Sequence, residues 1–256
     1  MLLRTFLRNS YLSTVGNFFS PSNSIHLLNG HFISENKMSE NIFRQFLAQL
    51  SKSVKLTTVQ NALQKIQDKE EPRLPVVSFT FDDGYIECYT KIAPILLEYG
   101  INSIFFICPG FVDCTNSSHR HYTSSNRLFS KPPMSWSMIK ELSAQGFIIG
   151  SHTYNHSHLV GNNISVLNHE LIDSKKRIED ELGKPCNYMA WPFGKYSDIS
   201  ELAMQIALEN YSCLFSSQDY KYYTGSHERI YNRRHFEGDW PMAHMNYFLA
   251  ISRAYR

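Results

Sequence analysis

Two short polar runs in this chain could do chemistry together. The first is Thr80-Phe81-Asp82-Asp83-Gly84. Two adjacent carboxylates need something to neutralise them. Successive side chains of a strand point to opposite sides, so one acid can hold a cation while the other stays open as a base. Gly84 permits a sharp turn at that point. The same run also reads as an ordinary Asp-Asp-Gly turn. The second run is Ser151-His152-Thr153-Tyr154-Asn155-His156. Two imidazoles four residues apart can meet one metal on a tight loop, or can be two polar loop residues. Thr153 stands where the zincin helix motif requires glutamate, so that motif is absent, and His158 adds a third nearby ring. Together the runs supply Asp83, His152 and His156. One acid and two imidazoles leave coordination positions for water and substrate, as a catalytic zinc needs, and Asp82 is left over to take a proton. A third run, Ala190-Trp191-Pro192-Phe193-Gly194, offers a flat apolar wall and a backbone N–H for a developing oxyanion, or a plain turn of the core.

These runs gain meaning from the elements that carry them. Residues 24–34 read as a strand ending in a turn. Phe43, Phe46, Leu47 and Leu50 recur at helical spacing over 39–52. Thr57 or Thr58 can cap a short helix carrying Val59, Leu63 and Ile66. Strands are then expected at 76–82, 103–108, 147–153, 186–192, 211–216 and 229–234. Helices are expected at 89–99, 135–145, 163–182, 199–210 and 242–256. Such alternation argues βαβ units and a parallel sheet, and this many units favour a closed or partly closed barrel. All three runs fall at strand C-termini, the rim where barrels of this kind place their chemistry. The connection at 111–134, with His119 and His121, is long, and serves either as a wall of the site or as a loose insertion.

Composition narrows the function. The chain has 256 residues, 43% hydrophobic and 19% charged, enough apolar side chain for a sizeable core. Its net charge of +2 gives no basic surface for nucleic acid. No run approaches the roughly 18 to 20 apolar residues of a membrane span. Arg4 and Arg8 interrupt the first apolar stretch, so no export signal is read. The five cysteines are odd in number and contain no CxxC pair. They fit reduced thiols and a cytoplasmic location.

In this order, the three runs resemble the polysaccharide deacetylases (carbohydrate esterase family 4). Ala93-Pro94-Ile95-Leu96, Tyr99-Gly100, Phe105-Phe106, Ser135-Trp136 and Gly150-Ser151-His152 resemble that family too, over residues 76–217. Upstream, the chain resembles the branch with an N-terminal extension. That divides it into an extension at 1–75, a strand plus helices packing on the barrel, and a deacetylase-like barrel at 76–256. The resemblance implies an α/β fold, a distorted (β/α) barrel of about seven strands. It implies a divalent metal, usually Zn2+, and hydrolysis of an N-acetyl (less often O-acetyl) group on a sugar, oligosaccharide or glycan precursor. Asp82 would be the general base, and Asp83, His152 and His156 the metal ligands. Trp191, Pro192, Phe193 and Arg234 are expected against the substrate. Two positions depart from the family. Many members hold the base with an arginine two residues before the proline of the third motif, where this chain has Ala190. Arg233 or Arg234 could supply that charge. Many members also carry a Leu-x-His acid near the C-terminus, which is not matched here. In the branch with the extension, a strand-plus-His pattern near the start stands instead, and His31 occupies that place, with His235 second. Two other functions remain: a metal-dependent amidohydrolase on a non-sugar amide, and a non-catalytic carbohydrate-binding relative.

Overall fold

The computed structural model describes residues 2–32, 40–114 and 131–256. Most of the expected connection at 111–134, including His119 and His121, lies outside the described residues. The helices are α1 (Leu2–Val15), α2 (Glu40–Leu50), α3 (Val59–Gln67), α4 (Ala93–Glu98), α5 (Pro109–Val112), α6 (Trp136–Ala144), α7 (Ile164–Asn168), α8 (Ser174–Leu182), α9 (Glu201–Asn210) and α10 (Met242–Leu249). The strands are β1 (Ile25–Gly30), β2 (Lys55–Leu56), β3 (Val76–Phe81), β4 (Ser103–Ile107), β5 (Ile148–Ser151), β6 (Tyr188–Ala190), β7 (Cys213–Ser216), β8 (Ile230–Asn232) and β9 (Arg234–His235).

Hydrogen-bonded neighbours run β8-β7-β6-β5-β4-β3-β1-β9, with β2 beside the start of β3. The strands pair in parallel throughout. The two ends of this order are one piece of chain. β8 pairs with β7, then the segment passes Arg233 and continues as β9, which pairs with β1. That single segment links the sheet's edges and makes a nearly closed barrel. It counts twice, so eight strands follow the path where about seven were expected. β1 lies inside the wall, in register with β3 from Ile25↔Val76 to Gly30↔Phe81. The stretch before residue 76 therefore contributes a stave as well as helices.

Side-chain alternation decides what β3 buries. Val77, Phe79 and Phe81 face outward into a core shared with Phe43 of α2 and Leu96 of α4. Val76 faces inward, toward Ile104, Phe106, Phe215 and Tyr231, with Val59, Leu63 and Ile66 of α3 in the same cluster. A one-residue slip would exchange the two sets, and each fully buried side chain of this size is worth about 1.5–3 kcal/mol, so the register is strongly specified. Polar Ser78 and Thr80 share the inward face of Val76, and by that alternation so does Asp82.

Caps explain several helix starts. Thr58, Ser135 and Ser200 accept N–H bonds from Asn61, Met138 and Ala203 at the entrances of α3, α6 and α9. The helix expected at 163–182 runs from Ile164 to Leu182, with a π-turn at His169–Asp173 inside it. One expectation needs correction. The closing helix ends at Leu249 and does not reach 256. Beyond it Arg253 turns inward and donates to the carbonyls of Ile25, Tyr220, Tyr222 and Asn232, an anchor that helical continuation would forbid. α1 was not anticipated, and it packs on α10 through Leu12 and a Ser13–His244 hydrogen bond. All five cysteines are free. No described helix is long and apolar enough to cross a membrane.

Candidate active site

Backbone strain marks the place where the three polar runs meet. Asp83, Thr153, His156 and Phe193 have φ of 74°, 63°, 58° and 65°. Left-handed backbone at non-glycine residues costs on the order of 1 kcal/mol or more each and persists where the surroundings enforce it. Gly84 follows at φ 82°, with the position of a Cβ blocked 3.0 Å away by the side chain of Ile107. The turn interrupts the alternation, so Asp83 lines the same cavity as Asp82 while the two acids face different partners.

Asp83 meets the histidine loop that follows β5. Its Oδ1 lies 3.5 Å from His152 Nε2 and 3.3 Å from His156 Nε2. The three ligand atoms all lie within 4.8 Å of one another, and all three residues are buried. His152 Nδ1 bonds to the Ala190 carbonyl at 2.7 Å. A carbonyl only accepts, so Nδ1 carries the proton and Nε2 presents its lone pair. Burial lowers the His152 pKa to about 4, which keeps the ring neutral near pH 7. Asp83 Oδ1 is buried and takes no hydrogen bond. A carboxylate oxygen facing an imidazole lone pair is repulsive unless a cation lies between them. The donor set of one acid and two imidazoles, with an outer N–H bonded to a carbonyl, therefore fits a divalent metal. Glu170 fixes the loop between the two rings. Its carboxylate accepts from Asn155 N at 2.9 Å, Asn155 Nδ2 at 3.0 Å and Ser157 Oγ at 2.9 Å.

Asp82 takes a different partner. Arg233 reaches it with Nη1 to Oδ1 at 2.7 Å and Nη2 to Oδ2 at 2.9 Å. Nη1 also donates to Thr80 Oγ1, and the guanidinium lies over the rings of Phe106 and Phe215. Burial works against the charge on Asp82, but Arg233 outweighs it and holds the carboxyl well below the usual carboxylate range. Arg233 thus supplies the charge missing at Ala190. Arg234 does not reach the cavity. Strand alternation turns it the other way, onto the rings of Tyr220 and Phe248 at 4.4 and 5.0 Å. The expectation that it contacts substrate is corrected accordingly.

A cavity of about 350 Å³ opens over these groups. His31 and His235 both line it, with ring centroids 5.5 Å apart. His235 Nε2 bonds to Glu237 Oε1 at 2.8 Å. Phe193 lines the mouth and is 43% exposed. Trp191 lines the cavity but is fully buried, with its indole N–H on the Lys195 carbonyl. Pro192 is not part of the lining. Asn29 and Tyr85 line it too and were not singled out from the sequence. Asn29 lies near the end of β1, two residues before His31, and Tyr85 directly follows the Asp-Asp-Gly turn, so both signals were present. A larger groove of about 560 Å³ lies beside α9, and no metal-type cluster is found there among the described residues.

Comparison with known proteins bears on the family and the fold. The sequence is 28% identical over 143 residues to the polysaccharide deacetylase relative YxkH of Bacillus subtilis (strain 168). The match covers 56% of this chain and 45% of that protein, so the chain spans about half the length of the curated relative. Among solved structures, IcaB from Ammonifex degensii superposes with a TM-score of 0.70 at 20% identity, covering 91% of this chain and 99% of that one. The Streptococcus pyogenes deacetylase PplD, solved in complex with acetate, gives 0.66 at 21% identity, with 91% and 99% covered. A de-N-acetylase from Aggregatibacter actinomycetemcomitans gives 0.62 at 19% identity, with 87% and 98% covered. At these identities the superpositions speak for the fold. The family model described as polysaccharide deacetylase matches residues 69–210, leaving His31, Arg233 and His235 outside its span. That match takes in more than half of the chain, and the chain belongs to the polysaccharide deacetylase family.

Proposed function

We propose that this protein is a metal-dependent deacetylase that removes N-acetyl groups from a glycan. One observation carries the reading: a buried cation-type triad stands beside a second carboxylate that has its own counter-ion. Asp83, His152 and His156 are the residues that would hold the metal, with Zn2+ the expected ion. When bound, such an ion supplies Lewis acidity, polarising an acetyl carbonyl and lowering the pKa of a water.

The remaining work falls to side chains of this chain. Asp82 is kept ionised and oriented by Arg233, and takes a proton from the attacking water at a free lone pair of its carboxylate. His31 gives a proton to the leaving nitrogen as the C–N bond breaks. The products are acetate and a free amino sugar. Support for His31 over His235 comes from partners. His235 Nε2 is already engaged by Glu237, whereas the His31 ring has no hydrogen-bond partner among the described residues. Phe193 presents an apolar ring edge at the mouth for the sugar's C–H face. Acetate, the molecule bound in the Streptococcus pyogenes relative, is the acid product of this reaction.

The test is acetate release from oligomers of N-acetylglucosamine, read by mass spectrometry. Release is expected from the metal-loaded protein. It should stop with a chelator and return with added zinc. Release that a chelator does not affect would count against the metal assignment. No release from any N-acetylated sugar by the loaded protein would count against the function.

A further inference from the structure

Four rings stand in series beside the site. His152 meets His156 edge-on with centroids 5.0 Å apart, and His156 meets Phe193 edge-on at 5.2 Å. Phe193 is then covered by His158, whose ring lies parallel to it, 12° off plane, at 3.8 Å. His158 also faces Asp198, with Nδ1 3.8 Å from Oδ1. Asp198 in turn accepts from the backbone of Lys195, in the turn that carries Phe193. The two loops are tied again by backbone bonds, Leu159 N to Asp198 O at 3.0 Å and Ser200 N to Leu159 O at 2.8 Å.

We infer that His158 is a positioning residue for sugar binding, holding Phe193 as a fixed platform at the cavity mouth. The argument starts from the strain on Phe193. Its backbone sits at φ 65°, and the residue is 43% exposed. An exposed ring on a strained turn would sample several orientations unless something holds a face. His158 is the group that does so. Its side chain is 53% exposed, and the described contacts it makes are the stack on Phe193 and the approach to Asp198. A platform that is already ordered spares the ligand the cost of ordering it, and that saving appears in affinity. This inference rests on the deacetylase reading, in which Phe193 meets the sugar.

The experiment compares His158→Ala and His158→Phe with the unaltered protein. His158→Ala should raise KM for an N-acetylglucosamine oligomer about three- to tenfold, the range expected for loss of one ring stack. Its kcat should stay within about twofold, and its zinc affinity by calorimetric titration should not move. His158→Phe keeps a flat ring and should restore KM. Oligomer binding to the chelator-treated protein, measured by calorimetry, should show the same order without any turnover. An unchanged KM in His158→Ala overturns the inference. So does a joint fall in zinc affinity and kcat, which would mean His158 acts by supporting His156. If the unaltered protein binds the oligomer but releases no acetate, the deacetylase reading fails, and the binding series still decides the role of His158. If it neither binds nor deacetylates, both fall.

Discussion

Replacing Arg233 with methionine removes a guanidinium while keeping a long apolar stem in the same space. Asp82 is then left in the barrel interior without its partner. The arginine side chain is 0% exposed and the aspartate 5%, so water cannot take over. At a charge separation of about 4 Å and an effective dielectric near 20, the lost attraction is about 4 kcal/mol. Breaking one side of a buried pair costs about 3–5 kcal/mol, which agrees. For a chain of this size that is a fall in Tm on the order of 10 °C. The pH dependence has a definite sign. In the intact protein the Asp82 carboxyl is depressed, so the pair stabilises the fold above the unfolded carboxyl pKa of about 3.9 and loses that effect as pH falls. Without Arg233, burial is opposed only by the nearby His152 and His31 rings, so the Asp82 pKa rises and the acidic limb of the kcat/KM profile should move to higher pH. Thermal melts from about pH 2 to 8 and a pH–rate profile test both points. The double variant Arg233→Met, Asp82→Asn should recover part of the lost stability, because no charge is stranded. A melting temperature and an acidic limb both unchanged in Arg233→Met would refute the reasoning.

The other expected outcomes concern the base, the ligands and one buried histidine. Asp82→Asn should keep bound metal by elemental analysis while kcat falls about 10²–10⁴-fold, the usual share of a general base. His152→Ala should lose both metal and acetate release, since it removes one of three ligands. His26 is buried against the Tyr220 hydroxyl, and burial first, then the charge of Arg253, lowers its pKa to about 3. Its neutral form stabilises the fold fully above about pH 6.5. That effect is lost as pH falls from 6.5 toward 3, by about 2 kcal/mol at pH 5. Denaturant titrations at pH 7 and pH 5 should show this slope shrinking in His26→Phe, whatever that variant's stability at pH 7.

Local pattern carried the parts of the site that lie on strand ends. Asp82, Asp83, His152 and His156 were visible because a short run of residues shows both the strand and the turn that ends it. The choice between Arg233 and Arg234 was not visible. It depends on which residue of the segment at 230–235 faces inward, and that is set by pairing with β7 on one side and β1 on the other. The same holds for His31 and His235, which meet at the ends of the neighbouring strands β1 and β9, though they come from distant parts of the chain. Trp191 looked like a stacking surface because an aromatic beside Pro-Phe-Gly gives no hint of depth, yet it is wholly buried. α1 escaped notice because much of its order comes from docking on α10, and isolated propensity says little about such helices. The overshoot at 250–256 has the opposite cause. The run lacks a strong breaker, and Arg253 ends the helix through distant carbonyls.

Because one short segment pairs with β7, passes Arg233 and pairs with β1, sealing the wall and supplying the counter-ion of Asp82 are a single event. The metal-type residues come from positions 83 to 156, yet the counter-ion for Asp82 arrives 151 residues later in the chain. A molecule whose final stave is unseated would still carry every ligand. Its acid at position 82, however, would lack the cation that keeps it charged in a dry interior. On the proposed reading, a copy lacking this stave would hold its metal-type residues yet lack a base ready to act.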